Sequence, residues 1–350
     1  MDRPHTFPLL VKPVSADCNL RCAYCFYLDH LRFYPQDARH RMSDAVLERL
    51  VSGYMATDQP AYTFIWQGGE PTLLGVEFFR RVTDLQQKHG RPGAVVANRL
   101  QTNATLITDE LAAHFAEYRF LVGVSLDGPA DVHDHYRKTA GGSGSHAQVM
   151  NGIDTLRRHN VSFNVLTLVT DANVGRAREV YRWLAGQGLL FHQYIPCVEF
   201  DDRGRLRPYS IGGESWGTFL RELFDEWKPG DTRRVSVRLF DSVIHRLVLG
   251  TAPDCYMDND CRQYFVVEYN GDVFPCDFFV TRALKLGNIF TETWVQLRQS
   301  PVYAGFGARK SMLARACAEC RHVALCNGDC PRFRPRPEES PATPGVLCAG

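Results

Sequence analysis

The 350-residue chain has the composition of an ordinary globular protein, with 45% hydrophobic residues, 23% charged residues and a formal net charge of +1. A nearly neutral chain gives no reason to expect nucleic acid or an anionic membrane as a partner, because both attract basic surfaces. The length exceeds what one small core needs, so the sequence predicts a large first domain followed by a smaller one.

The twelve cysteines are the most unusual part of the composition. The first residues, "MDRPHTFPLLVKPVS", contain no apolar core of signal-peptide length, and no later run approaches ~18 apolar residues. The sequence therefore predicts a cytoplasmic protein. Disulfides are rare in that reducing compartment, so metal ligation or redox chemistry is the favoured role for clustered cysteines.

Six β-rich runs, separated by amphipathic stretches, predict an α/β fold with a parallel sheet and right-handed crossovers. The strands are predicted at 8–14, 62–67, 95–102, 120–126, 162–169 and 189–196. The helices between them are predicted at 43–55, 76–89, 108–118, 147–159 and 175–187. In such a sheet, open or curled into a partial barrel, chemistry lies at the C-terminal ends of the strands.

The pattern changes beyond residue 200, where a polar connection and a helix near 214–227 lead into a cysteine-rich region. We therefore divide the chain into domains at residues 1–235 and 236–350. The final stretch, 331–350, is rich in proline and is not expected to form a helix. Only a metal ligand is expected to hold this tail in place.

Three cysteines, Cys18, Cys22 and Cys25, follow the first predicted strand with the spacing C-x3-C-x2-C. Three thiolates on one loop can hold three irons of a four-iron cluster and leave the fourth iron open for a further ligand. A structural zinc site is the alternative, but zinc wants four protein ligands. His30 or His40 would have to complete it.

The cysteine loop and a later "GGEP" segment together resemble the radical S-adenosylmethionine (SAM) enzymes. That superfamily carries a C-x3-C-x-aromatic-C loop after the first strand of a partial (β/α)6 barrel, and SAM chelates the open iron through its amino and carboxylate groups. The resemblance implies that Gly68, Gly69, Glu70 and Pro71 contact the SAM amino group. The glycines would let backbone carbonyls approach the ammonium, and Glu70 would add a negative charge near it.

Two later strand ends offer further SAM contacts by the same resemblance. Thr102 and Asn103 in "QTNAT", with Ser125 and Asp127 in "VSLDGP", match positions that contact the ribose and the methionine carboxylate. Helix capping or turn formation is the alternative role for these four side chains. Arg137 is a candidate partner for the SAM carboxylate, with a solvated arginine as the alternative.

Eight of the nine remaining cysteines lie between residues 255 and 348, with spacings that resemble the iron-sulfur domain called SPASM. The resemblance implies two auxiliary clusters, one held by Cys255, Cys261, Cys276 and Cys330 and the other by Cys317, Cys320, Cys326 and Cys348. Three [4Fe-4S] clusters and SAM would then be the cofactors, although two zinc ribbons are the alternative for the C-terminal thiols. The twelfth cysteine, Cys197, is expected to be a buried thiol.

Within the SPASM group, segments such as "LLVKPVSADCNLRCAYCFY", "LQTNATLI" and "FVVEYNGDVFPCDFFV" resemble anaerobic sulfatase-maturating enzymes. The resemblance implies that a 5′-deoxyadenosyl radical removes a Cβ hydrogen from a Cys or Ser in a Cys/Ser-x-Pro/Ala-x-Arg segment, which becomes Cα-formylglycine. The implied partners are an unfolded or nascent sulfatase and an electron donor such as flavodoxin or ferredoxin. The enzyme is expected to be a monomer.

The base for that reaction must carry a negative charge near the substrate. Asp277, directly after Cys276, matches the candidate base of the family, and Tyr27 and Gln67 match positions that line the substrate cavity. The alternative for Asp277 is a hydrogen-bond acceptor that only supports the neighbouring cluster.

Two other functions stay open on the sequence alone. A SPASM peptide maturase that forms a thioether or carbon–carbon crosslink would share every cluster ligand. Such enzymes usually carry a peptide-recognition domain before the radical cluster, whereas only seventeen residues precede Cys18, so the sulfatase reaction is favoured. A zinc-rich scaffold or nucleic-acid-binding module is disfavoured by the neutral charge and the lack of a basic stripe.

Overall fold

The computed structural model describes residues 6–28, 33–335 and 343–350, and ten strands in these ranges form one sheet. The strands are β1 (Leu9–Lys12), β2 (Ala61–Trp66), β3 (Val95–Thr102), β4 (Leu121–Ser125), β5 (Ser162–Val169), β6 (Phe191–Pro196), β7 (Ser236–Val237), β8 (Phe265–Glu268), β9 (Asp272–Phe274) and β10 (Gly287–Asn288). Their order in the sheet is β10-β9-β8-β1-β2-β3-β4-β5-β6-β7.

Strands β1 to β7 are parallel, and each pairs with the next along the chain. The six predicted strands are confirmed, each within two residues of its predicted ends. The two-residue strand β7 was not predicted, because it is too short to show a periodic pattern. Consecutive parallel strands joined by helices give the expected α/β fold.

The larger helices cover the outside of the parallel strands, and the six predicted ones are confirmed to within two residues at each end. The helices are α1 (Asp44–Met55), α2 (Gly75–His89), α3 (Asp109–Glu117), α4 (Ala130–Tyr136), α5 (His146–Arg158), α6 (Ala177–Gly186), α7 (Gly213–Trp227), α8 (Arg238–Leu249), α9 (Trp294–Arg298), α10 (Pro301–Lys310), α11 (Arg315–Ala318) and α12 (Val323–Cys326). Across the described residues, none of these helices has the length and apolar character needed to cross a membrane.

The main core lies between the parallel strands and the helices. Alternate residues of β2, Tyr62, Phe64 and Trp66, are buried in it, as the period of two along a strand requires. On β5 the residues between the buried positions include Leu166 and Leu168, which instead line a cavity on the other face of the sheet. The sheet therefore separates a packed outer layer from an open interior.

The C-terminal region adds three strands to the same sheet. Strand β8 pairs in parallel with β1, placing Glu268 opposite Lys12, and the antiparallel strands β9 and β10 follow at that edge. Sequence analysis missed β8 because a four-residue apolar run does not identify its partner strand. The proposed boundary between residues 235 and 236 falls directly before β7, and the division into two domains stays a prediction.

The tail is held by packing as well as by any ligand. Leu347 is buried in the main core, and the amide of Val346 donates to the carbonyl of Phe333 at 2.8 Å. The backbone of Gly350 lies so close to helix α7 that a Cβ on Gly217 would approach it to 2.8 Å. The expectation that only a metal ligand would hold the tail is therefore wrong for residues 343–350.

Candidate active site

A cavity of about 260 Å³ opens at the C-terminal ends of β2 to β6, where a parallel sheet is expected to place its chemistry. The predicted site residues in its lining are Cys18, Cys22, Cys25, Tyr27, Gln67, Gly68, Gly69, Thr102, Asn103, Ser125 and Arg137. Four other predicted residues, Glu70, Pro71, Asp127 and Asp277, do not line it. Of these four, Glu70, Asp127 and Asp277 each contact a side chain that lines the cavity.

The three-cysteine loop directly follows β1 and turns its thiols into the cavity. Burial raises the pKa of each of the thiols of Cys18, Cys22 and Cys25 to about 11, and Arg137 opposes that rise at Cys22. A bound metal would favour the thiolate form of such thiols. Three sulfur donors on one loop fit an iron-sulfur cluster that keeps one iron open.

The zinc alternative for this loop needed a histidine as its fourth ligand. The Nδ1 atom of His40 lies 2.8 Å from Asp17, and its Nε2 atom lies 3.0 Å from the carbonyl of Tyr34. Both ring nitrogens are thus engaged away from the cavity, which His40 does not line. His30 lies outside the described residues.

The two glycines after β2 allow this strand to contact the cysteine loop. A Cβ on Gly69 would lie 1.9 Å from the carbonyl oxygen of Asp17, and a Cβ on Gly68 would lie 2.6 Å from that of Ser15. The amide of Gly69 donates to Ser15 at 2.8 Å. Only glycine fits such a close backbone approach, and both residues also line the cavity.

Glu70 is fully buried beneath the cavity wall. Its Oε1 atom accepts from the hydroxyls of Thr72 at 2.6 Å and Thr102 at 2.8 Å, and its Oε2 atom accepts from the amide of Asn103 at 2.7 Å. This carboxylate ties the end of β2 to the end of β3. A direct contact of Glu70 with the SAM ammonium stays a prediction that this geometry does not favour.

The ends of β3 and β4 form a polar wall. Thr102 and Asn103 accept from backbone amides two residues on, as the turn-forming alternative requires, yet both line the cavity. The amide nitrogen of Asn103 also lies 3.7 Å from the sulfur of Cys18. Gln101, which sequence analysis missed, donates to Ser125 at 2.9 Å. These residues are placed to contact a polar ligand beside the thiols.

The side chain of Arg137 is only 11% exposed, so its solvated alternative is wrong. Its Nε atom donates to Asp127 at 2.9 Å, and the guanidinium lies 5.5 Å from the ring centre of Tyr24. The Tyr24 hydroxyl donates to the same carboxylate oxygen at 2.5 Å, while the amide of Leu168 donates to the other at 3.0 Å. Asp127 thus positions Arg137, which presents a cation to the cavity for an anionic ligand group.

Asp277 begins a short 3₁₀ helix, Asp277–Phe279, and is 3% exposed. The Tyr27 hydroxyl donates to its Oδ2 atom, and Gln67 donates to the same atom at 3.2 Å and to Tyr27 at 2.9 Å. The predicted base and the two predicted substrate-lining residues therefore form one hydrogen-bonded group.

A buried ion pair lies behind this group. Lys12 is 2.9 Å from Glu268 and 3.7 Å from the Oδ1 atom of Asp277, and both Lys12 and Glu268 are fully buried. Burial raises the pKa of Asp277; Lys12 and the Tyr27 hydrogen bond oppose that rise, and Glu268 reinforces it. A buried carboxylate with a raised pKa and a cation beside it is suited to accept a proton.

The eight C-terminal thiols separate into two groups of four. Burial raises the pKa of Cys330, and the thiols of Cys276 and Cys255 raise it further. The thiol of Cys255 likewise raises the pKa of Cys261. The pKa of Cys348 is raised by burial and then by the second group, Cys317, Cys326 and Cys320. These mutual influences run within the two groups that the resemblance implied, and the two ligand sets stay a prediction. Within the described ranges no three His, Cys, Asp or Glu side chains form a ligand group for a single metal ion.

Comparison with known families matches residues 13–184 to the radical SAM superfamily and residues 255–321 to the SPASM iron-sulfur cluster-binding domain. The chain is 38% identical to a serine-type anaerobic sulfatase-maturating enzyme of Bacteroides thetaiotaomicron, across 95% of this chain and 84% of that protein. It is 35% identical to a cysteine-type enzyme of Clostridium perfringens, across 97% of this chain and 93% of that protein.

The chain belongs to the anaerobic sulfatase-maturating enzymes of the radical SAM superfamily. A solved structure, native anSMEcpe with bound AdoMet and Cp18Cys peptide, matches with a TM-score of 0.90 and 34% identity. The match covers 97% of this chain and 93% of that one. The radical SAM fold with a C-terminal SPASM domain is therefore confirmed.

A further contact between the two halves of this maturating enzyme was not predicted from the sequence. Arg332, in the C-terminal region, pairs with Glu199 after β6, and both line the cavity. The guanidinium of Arg332 lies 5.7 Å from the ring centre of Phe26 and 5.3 Å from that of Phe278. Cys197, also in the lining, is buried as expected.

Proposed function

We propose that this enzyme oxidises a Cys or Ser side chain, in a Cys/Ser-x-Pro/Ala-x-Arg segment of an unfolded or nascent sulfatase, to Cα-formylglycine. Relatives named as serine-type and cysteine-type maturating enzymes support this reaction. A structural relative with a bound peptide supports a peptide substrate. Because both types of relative match, either target residue fits.

The hydrogen bond between Tyr27 and Asp277 carries the proposal. Tyr27 lies two residues after Cys25, and Asp277 directly follows Cys276. This hydrogen bond connects the three-cysteine loop of the barrel to the segment of the C-terminal region that carries Cys276. The two residues are 250 positions apart in the sequence. The proposed proton acceptor would thus lie between the proposed site of radical formation and a proposed electron acceptor.

The proposed cofactors follow from the three thiol groups. Cys18, Cys22 and Cys25 would hold a [4Fe-4S] cluster whose open iron binds SAM, and the two groups of four would hold two auxiliary clusters. When bound, this cofactor set supplies a 5′-deoxyadenosyl radical that removes a Cβ hydrogen from the substrate. The cavity residues around the thiols, including Arg137 and Asn103, would hold SAM in place.

Asp277 would take the proton that the substrate thiol or hydroxyl must lose. Its Oδ2 atom is held by Tyr27 and Gln67, whereas its Oδ1 atom has no hydrogen-bond partner in the described part of the chain. The Lys12 ammonium, 3.7 Å from Oδ1, favours the ionised carboxylate before the transfer. Losing that proton and one electron would convert the substrate radical to a thioaldehyde or an aldehyde.

We also propose the electron donor, the oligomeric state and the domain boundaries of the enzyme. An electron donor such as flavodoxin or ferredoxin would reduce the first cluster, and the enzyme would act as a monomer. The radical SAM barrel would occupy residues 1–235 and the SPASM domain residues 236–350.

Anaerobic incubation with SAM, dithionite and sulfatase peptides of about 18 residues tests the reaction. Two peptides that differ only in Cys or Ser at the target position would identify the preferred residue. Mass spectrometry should show the mass of an aldehyde, and a hydrazide probe should label it. A loss of only two hydrogens without labelling would instead indicate the thioether or carbon–carbon crosslink of a peptide maturase.

A further inference from the structure

A buried lysine lies in the C-terminal region, away from the cavity. Lys310 ends helix α10 and is fully buried. Its ammonium lies within hydrogen-bond distance of four backbone carbonyls, those of Tyr256 at 3.0 Å, Asn327 at 3.0 Å, Cys326 at 3.5 Å and Asp329. These carbonyls belong to the chain segments that carry Cys255, Cys326 and Cys330, so they border proposed ligands of both auxiliary clusters.

Several carbonyl acceptors around one nitrogen suit the ammonium form of Lys310. An ammonium has three N–H donors, whereas a neutral amine has two. Among the described residues no carboxylate lies within ion-pair distance of this ammonium, so its full charge is buried without a direct counter-ion. Burying such a charge is unfavourable unless something negative compensates it.

Thiols of the first proposed ligand group, Cys255, Cys261, Cys276 and Cys330, are among the nearby groups that can compensate this charge. Lys310 acts electrostatically on Cys255, Cys261 and Cys330, three of the four proposed ligands. Two other charged groups face the same site. Asp329 is acidic, and the buried guanidinium of Arg334, which donates to the carbonyl of Gly328 at 3.0 Å, is basic.

We propose that Lys310 raises the reduction potential of the auxiliary cluster held by Cys255, Cys261, Cys276 and Cys330, and so makes that cluster the acceptor of the substrate's electron. This inference rests on the proposed function. A cluster bound by four thiolates is anionic and gains one more negative charge on reduction, so a buried cation stabilises the reduced form.

The electron balance of that step closes with the partners already proposed. The deprotonated substrate radical would lose one electron, the cluster held by these thiols would gain it, and Asp277 would keep the proton. A one-electron carrier of the flavodoxin or ferredoxin class would then take the electron from the cluster. Lys310 does not line the cavity, so its proposed role is purely electrostatic.

Lys310→Gln tests the inference in the iron-loaded enzyme, because it removes the charge and keeps hydrogen-bond donors. We expect the reduction equilibrium constant of this cluster to fall about tenfold or more, which is a shift of about 59 mV for a one-electron couple. An electron paramagnetic resonance redox titration would measure it. Arg309→Gln, one residue earlier and partly exposed, is the matched control and should shift the potential by less than a third as much.

Two further variants separate charge from folding. Lys310→Arg keeps the charge and should keep a potential near that of the wild type, while Lys310→Met is a second neutral variant. A raised or unchanged potential in Lys310→Gln with the cluster intact would overturn the inference. Loss of iron in both neutral variants but not in Lys310→Arg would overturn it too, since Lys310 would then hold the site together. A wild-type enzyme without this cluster would overturn the proposed cofactors instead.

Discussion

The barrel and the C-terminal region bury their charges in different ways. In the barrel, Lys12 pairs with Glu268 of the C-terminal region and Arg137 pairs with Asp127, so both of these largely desolvated cations have a carboxylate beside them. In the C-terminal region the buried Lys310 is surrounded by backbone carbonyls. The first arrangement is complete without a cofactor, whereas the second leaves a net charge that an anionic cluster would balance.

The two regions also differ in what holds their chain together. Strands β1 to β6 and their helices share one large apolar core, which also includes β8, Trp294 and Tyr303 of the C-terminal region. Between residues 255 and 335 the described helices have three to ten residues, and several thiols are only partly buried. We infer that the barrel folds on apolar burial, whereas the cysteine-rich segment gains much of its stability from metal binding.

The largest expected effect separates the two kinds of cluster. Replacing Cys18, Cys22 and Cys25 together by Ala should abolish 5′-deoxyadenosine formation and leave iron in the C-terminal region, because only a three-thiolate site keeps an open iron. Chromatography of the nucleoside and an iron assay measure both. Cys197→Ala, which alters a buried thiol of the same cavity, should keep activity. A triple variant that still cleaves SAM would show that the first cluster is wrongly assigned.

The next effect probes the contact between the regions. Asp277→Asn keeps the shape of the side chain but cannot take a proton, so formylglycine yield should fall by ~10²-fold while 5′-deoxyadenosine still forms. Both products should be measured in one anaerobic reaction. Asp272→Asn alters another buried carboxylate, paired with Lys285 outside the cavity, and should leave the yield unchanged. Wild-type product formation by Asp277→Asn would reduce this residue to a supporting role.

A smaller effect is expected at the tail, where packing and ligation coincide. Cys348→Ala should remove iron from the second auxiliary group and speed hydrogen exchange in residues 343–350 by about tenfold. Leu347 and Gly350 would still pack against the barrel, which limits the effect. Ala349→Ser is the neighbouring control. Unchanged iron content in Cys348→Ala would mean that this cysteine is not a ligand.

The smallest effect concerns acid sensitivity of the barrel. Burial lowers the pKa of His133 to about 3, so the folded state keeps this ring neutral, whereas an unfolded histidine titrates near 6.5. Stability is therefore full above ~6.5 and declines as the pH falls toward 3. Between pH 7.5 and 5.5 the loss should be about 1 kcal/mol, read from hydrogen exchange in β5. His133→Gln should remove that loss, and the exposed His135→Gln should not.

The sequence was sufficient for features that repeat locally or follow a fixed spacing. Short β-rich runs identified β2 and β5, and the spacing of Cys18, Cys22 and Cys25 identified the thiol loop. Contacts between distant residues were not predictable in this way. The pairing of Lys12 with Glu268 could have been suspected from a single charged residue in each of two apolar strands, "LLVK" and "FVVE".

Other parts of the site depended on the direction in which a side chain points. Glu70 follows the strand that the motif indicates, yet its carboxylate bonds to Thr102 and the amide of Asn103 behind the cavity wall. Arg332 and Glu199 meet across 133 residues, and neither lies in a recognisable motif. Such contacts arise from tertiary packing, which a spacing pattern does not encode.

The pairing of β8 with β1 has a consequence for the order of events during synthesis. Chains are made from the N-terminus and fold domain by domain as they emerge. Strand β1 gains its second neighbour only once residue 268 has been made, and Tyr27 meets Asp277 later still. A ribosome-bound fragment that already contains all three cysteines of the first loop therefore has no proton acceptor beside it. On the proposed function, formylglycine formation therefore requires a chain that extends at least to Asp277.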